Sequence, residues 1–119
     1  MKKVFLFAIS GIIHSFRSEL NFRIQVAAAV MAAILGFIFN ISKTEWFVII
    51  LCCMIVLALE LLNTAIEKLC DMISLEYHPV IKIVKDTAAG AVLVSAIGSA
   101  VAGAIIFIPL IIHQIKILL

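Results

Sequence analysis

The sequence predicts an all-α membrane protein, an amphipathic amino-terminal surface helix followed by three transmembrane helices. Two observations carry that prediction. Hydrophobic residues fill 66% of the 119 positions and charged residues only 13%, against an apolar share of about 45–50% in soluble domains. All the charges but one, Glu60, fall outside three long apolar runs. A chain of this length forms one domain, residues 1–119, and most of its apolar surface has to face lipid or another helix, because so short a chain cannot wrap all of it into a core. A mean hydropathy of +1.31 excludes a soluble fold.

Residues 1–22 open with Lys2 and Lys3 before an apolar stretch, as a signal peptide would. No small-x-small cleavage pattern closes it, and His14, Arg17, Glu19 and Arg23 follow at once. The segment reads as a helix at the membrane interface, with Val4, Phe5, Phe7, Ala8, Ile12 and Phe16 dipping into lipid and Lys2, Lys3 and Arg17 at the headgroups.

Residues 24–41 carry no charge and approach the roughly 20 residues that cross about 30 Å of hydrocarbon. Ser42-Lys43-Thr44-Glu45 is a polar break, Trp46 suits an interface, and residues 46–66 return through the bilayer. Residues 67–86 form the one sustained polar region, with His78-Pro79 breaking the helix, and read as an aqueous connection. Residues 87–112 are uncharged, and Pro109, His113 and Lys116 are expected to end the third span. Ala91, Ser95, Ser99 and Gly103 recur every fourth residue there, as Ala28, Ala32 and Gly36 do in the first span, a spacing that lets helices approach closely.

Lys2, Lys3, Arg17, Arg23, Lys68, Lys82 and Lys85 fall on one side of this topology and only Lys43 and Lys116 on the other. The amino terminus and the 67–86 connection are therefore expected to be cytoplasmic. A net charge of +2 without a basic stripe points away from nucleic acid. Cys52, Cys53 and Cys70 lack metal or disulfide spacing and read as small packing residues, and His14, His78 and His113 lie in separate segments. The phosphate-binding loop G-x-x-x-x-G-K-[ST] and the protein-kinase motifs are absent.

Glu60 and Asn63 stand inside the second apolar run, where polar groups are costly. At about 100° per residue, Glu60, Asn63, Glu67 and Asp71 fall within about 80° of one another and form one stripe. Glu67 and Asp71 alone could be the solvated end of a helix; Glu60 could not. A carboxyl group at that depth is suited to taking a proton from a lipid hydroxyl, and carboxylates nearer water could hold Mg²⁺, which is bound by one or two carboxylates together with substrate phosphates. Lys85 and Asp86 before the third span, and Glu19 and Arg23 before the first, could converge on the same site or serve as interfacial anchors.

The stripe reads Glu60-Leu61-Leu62-Asn63-Thr64-Ala65-Ile66-Glu67-Lys68-Leu69-Cys70-Asp71, which closely resembles the signature of the prokaryotic diacylglycerol kinase family of small membrane lipid kinases. Glu19-Leu20-Asn21-Phe22-Arg23, Glu76-Tyr77-His78-Pro79 and Lys85-Asp86 extend the resemblance along nearly the whole chain. It implies a homotrimer of three-span subunits with composite active sites that transfer the γ-phosphoryl of Mg-ATP to a lipid alcohol, work that is mostly positioning and charge stabilisation. On that resemblance Glu60 is the general base and Asn63 orients the lipid. Glu19 and Glu67 are Mg²⁺ ligands that also face the nucleotide, and Asp71, Lys85 and Asp86 contact the nucleotide. The chain departs from the family in having no counterpart of an upstream basic nucleotide contact that some members carry, and in Phe7, read as standing where others have a tyrosine. The Thr44-Glu45-Trp46 turn and the Ile105–Pro109 close are similar to the Gram-positive branch, whose acceptor is typically undecaprenol; diacylglycerol is the alternative acceptor. Read from the residues alone, an intramembrane glutamate with asparagine one turn away also fits a small ion or proton transporter component, and a purely structural helper would leave Glu60 unexplained.

Overall fold

The computed structural model describes residues 1–119 as four helices: α1 (Lys2–Ser18), α2 (Leu20–Ile38), α3 (Lys43–Ile73) and α4 (Pro79–Leu118). Helix α3 packs against each of the other three, so the bundle is organised around it. The last three helices are long and apolar enough to cross a membrane. That agrees with the three runs read from the sequence.

The boundaries follow from local chemistry. A single extended residue, Glu19 (φ −115°, ψ 112°), separates α1 from α2. The break thus falls three residues before the expected end of the surface segment at 22. Arg23 Nη1 donates to the Arg17 carbonyl at 3.1 Å across it, satisfying one of the carbonyls that a helix end leaves free. Helix α2 stops where Asn40 takes a positive φ of 50°, a conformation that asparagine tolerates better than most residues. Ser42 then caps α3: its Oγ accepts from the Glu45 N–H and the Glu45 carboxylate accepts from the Ser42 N–H. The polar break read as a turn is therefore a capping box.

The polar connection is shorter than its charge pattern suggested. Helix α3 continues through Glu67 and Asp71 to Ile73, and α4 already starts at Pro79 behind a His78 cap, so only residues 74–78 are non-helical. The other difference is Pro109, which lies inside α4, with the helix running on to Leu118. Membrane helices tolerate proline where neighbouring groups re-satisfy the freed carbonyl.

Ile41, Ile49, Ile106 and Phe107 form the one buried apolar cluster, with Phe39 and Trp46 packed against it. Only 11 of the 119 residues are buried, and Phe37, Met54, Leu93 and Val94 are among many large apolar side chains left open. The outer helix faces are thus left to lipid or to other helices. Between α2, α3 and α4 runs a groove of about 210 Å³, lined by small side chains such as Ala28, Ala32, Cys52 and Ser99. Ser99 Oγ lies 3.5 Å from the Cys52 carbonyl, so part of the small-residue stripe on α4 serves packing within this chain. A Cβ placed on Gly103 would meet nothing within 4 Å.

Candidate functional site

Periodicity on α3 puts the polar residues on the face turned toward its neighbours. Glu60 is 4% exposed and Thr64, one turn further on, 5%, although both belong to a helix whose opposite side is open. Asn63 Nδ2 donates to Glu67 Oε1 at 3.1 Å, the i,i+4 contact that helical spacing allows. Its Oδ1 is the one buried side-chain polar atom in the molecule without a hydrogen-bond partner. Helices α1 and α2 both pack on α3, and Glu19 is the single residue that joins them.

The charged residues beyond the stripe divide into two pairs. Lys85 Nζ sits 2.6 Å from Asp71 Oδ1, joining the end of α3 to the second turn of α4. Asp86 turns instead to Lys82, four residues back on its own helix, at 2.5 Å. The structure therefore joins Asn63 to Glu67 and Asp71 to Lys85 along the face of α3 that carries Glu60, and leaves Asp86 in the lining of a polar recess of about 360 Å³ formed with residues 74–78, Ile81, Lys82 and Lys85. Sequence reasoning missed Ser15 and Thr64, both buried polar side chains at this end of the molecule. The available signal was their spacing of four residues, from Glu19 and from Glu60 respectively.

The donor set suits a hard divalent cation of the Mg²⁺ type. No three carboxylate, histidine or cysteine side chains close around one point, and Mg²⁺ needs only one or two carboxylates when substrate phosphates complete its shell, which Glu19 and Glu67 could offer. The residues present thus fit the ion, and Asn63 adds an unused buried oxygen beside Glu67.

A bundle of membrane-length helices with an inward carboxylate stripe at one end defines an integral membrane protein whose polar site lies within the bundle. The chain belongs to the prokaryotic diacylglycerol kinase family, whose profile matches residues 6–107. It is 45% identical to the undecaprenol kinase of Bacillus subtilis (strain 168) over 107 residues, 90% of this chain and 87% of that protein. It is 35% identical to a diacylglycerol kinase of Synechocystis over 106 residues, 88% of this chain and 61% of that protein. A diacylglycerol kinase of Pseudomonas aeruginosa is 36% identical over 89 residues, 75% of this chain and 72% of that protein. The family expected from the α3 signature is borne out.

Proposed function

We propose that the chain transfers the γ-phosphoryl group of Mg-ATP to the hydroxyl of a membrane lipid alcohol, undecaprenol, to give undecaprenyl phosphate. The observation that carries the reading is Glu60: a carboxyl group 4% exposed on a membrane-length helix, beside an asparagine that Glu67 holds in place. The choice of acceptor follows the 45% identity to an undecaprenol kinase, against 35% and 36% for the two diacylglycerol kinases.

In this reading Glu60 takes the proton of the lipid hydroxyl as its oxygen bonds to the γ-phosphorus. The bond from that phosphorus to the β,γ-bridging oxygen breaks, and ADP leaves with the electron pair. Asn63 gives one N–H to Glu67, keeps a second for the lipid oxygen, and so fixes the attacking group beside its base. Glu19 and Glu67 hold Mg²⁺, which when bound offsets the charge of the phosphates. Asp71, Lys85 and Asp86 form the side facing the nucleotide. The chain works as a homotrimer in the cell membrane with its amino terminus cytoplasmic and α1 lying on the surface. Support for the assembly is the small apolar core and the many open apolar side chains that one copy leaves.

The test is Mg-ATP-dependent phosphorylation of undecaprenol and of diacylglycerol, side by side in mixed micelles. Undecaprenol is the preferred acceptor, and Glu60→Gln, which keeps size and polarity but takes no proton, loses about 10²–10⁴-fold in kcat. Preference for diacylglycerol would change the acceptor and keep the chemistry. Normal turnover by Glu60→Gln would remove Glu60 as the base.

A further inference from the structure

Asp71 and Lys85 are both expected at the nucleotide, yet the structure spends them on each other. The pair is long-range, fourteen residues apart in sequence, and ties the last turn of α3 to the second turn of α4. Both side chains are open to solvent, 48% for Asp71 and 37% for Lys85, and ion pairs this exposed hold helices together only weakly. What such a pair does fix is the place of one ammonium group. A free lysine swings on a four-carbon stem, and a 2.6 Å charge-assisted bond biases it toward one position.

The place it is held matters. Asp71, which holds the Lys85 ammonium, lies one turn beyond Glu67 on the same face of α3. The other ion pair, Lys82 with Asp86, stays within α4 and ties no lysine to α3. A bare carboxylate at Asp71 would repel a triphosphate, whereas a carboxylate that presents a cation contributes attraction through it.

We propose that Asp71 is a positioning residue: it holds the Lys85 ammonium at the Glu67 end of the α3 stripe, where that ammonium meets the phosphates of the nucleotide. The inference rests on the Mg-ATP reading and refines it, since Asp71 then acts through Lys85 and not as a nucleotide contact of its own.

The experiment compares full-length Asp71→Asn, Asp71→Glu, Lys85→Met, the Asp71→Asn/Lys85→Met double variant and the exchanged Asp71→Lys/Lys85→Asp variant in mixed micelles. Steady-state kinetics with Mg-ATP and undecaprenol are read beside the Kd of a fluorescent ATP analogue and the thermal midpoint. Asp71→Asn raises KM for Mg-ATP and the analogue Kd by about tenfold, with KM for undecaprenol unchanged, and Asp71→Glu recovers most of the loss. Lys85→Met raises KM at least as far, and adding Asp71→Asn to it changes KM no further, because no ammonium is left to position. The exchanged pair restores any lost thermal midpoint but not nucleotide affinity. An unchanged KM in Asp71→Asn, additive effects in the double variant, or recovery of affinity in the exchanged variant would overturn the proposal. A wild type that neither binds nor uses Mg-ATP overturns the kinase reading itself, a result that none of those variant outcomes resembles.

Discussion

At the residue scale, stability and the proposed function pull in opposite directions at Asn63. Its Nδ2 is committed to Glu67 while its Oδ1 is buried without a partner, and a buried polar atom left unpaired costs about 1–3 kcal/mol. Leucine at this position has a similar volume and no such atom, but it frees Glu67 and, in the proposed reaction, leaves the lipid oxygen without a donor. Asn63→Leu is therefore expected to raise the thermal midpoint in detergent, by an amount equivalent to about 1 kcal/mol. The same variant loses about 100-fold in kcat/KM for the lipid, equivalent to about 2.7 kcal/mol of transition-state stabilisation. Differential scanning fluorimetry and initial rates on one preparation check both signs. Lower stability with full activity would make Asn63 an ordinary packing residue.

At the element scale, the turn between α2 and α3 is closed by a glycine and a tryptophan. Gly36 is buried, and a Cβ built on it would lie 2.7 Å from Trp46 Cη2. The ring cannot easily retreat, because Phe37 packs on it at 4.8 Å between centroids and the buried cluster lies against it. Alanine favours a helix over glycine by about 0.5–1 kcal/mol, but overpacking costs about 1–3 kcal/mol, so Gly36→Ala destabilises the wild type. In a Trp46→Leu background the ring clash is gone and only Ile41 Cδ1, the far end of a flexible side chain at 3.2 Å, has to give, so the same change becomes stabilising. Thermal midpoints of the four proteins of this cycle check the reversal, and equal effects in both backgrounds would rule the contact out.

The same scale shows what could be read from the residues. The three apolar runs and the α3 stripe were legible because burial in lipid leaves a strong, local signal: no charge across a span, and polar groups on one helical face. Asn63 with Glu67 is likewise local. The helix ends were less legible, since α3 runs past its apolar stretch to Ile73 on backbone hydrogen bonds that need no apolar side chain, and Pro109 interrupts a hydrogen bond without ending α4. The partnering of Lys85 was not legible at all. Lys85 has Asp86 beside it and Asp71 fourteen residues away, and only the return of α4 against α3 decides between them.

At the scale of the whole molecule, the two ends of α3 carry opposite signals about the membrane. The helix is 31 residues long, about 46 Å at 1.5 Å per residue, so the Ser42–Glu45 cap and the 74–78 segment stand on opposite sides of a bilayer about 30 Å thick in hydrocarbon. The α1–α2 junction and the start of α4, with Arg17, Arg23, Lys82 and Lys85, lie at the 74–78 end; Lys43 and Lys116 lie at the other. Cytoplasmic loops carry the excess of lysine and arginine, so the carboxylate site is expected toward the compartment that holds ATP. The expectation can be checked in intact cells with a membrane-impermeant maleimide after Cys52, Cys53 and Cys70 are replaced by alanine. A cysteine at Lys43 labels directly. A cysteine at Leu75, which is 87% exposed and therefore reactive once reached, labels only after the membrane is permeabilised. The reverse pattern would put Glu67, Asp71 and Lys85 on the outer face, out of reach of cytoplasmic nucleotide, and would remove the proposed phosphoryl transfer along with the orientation.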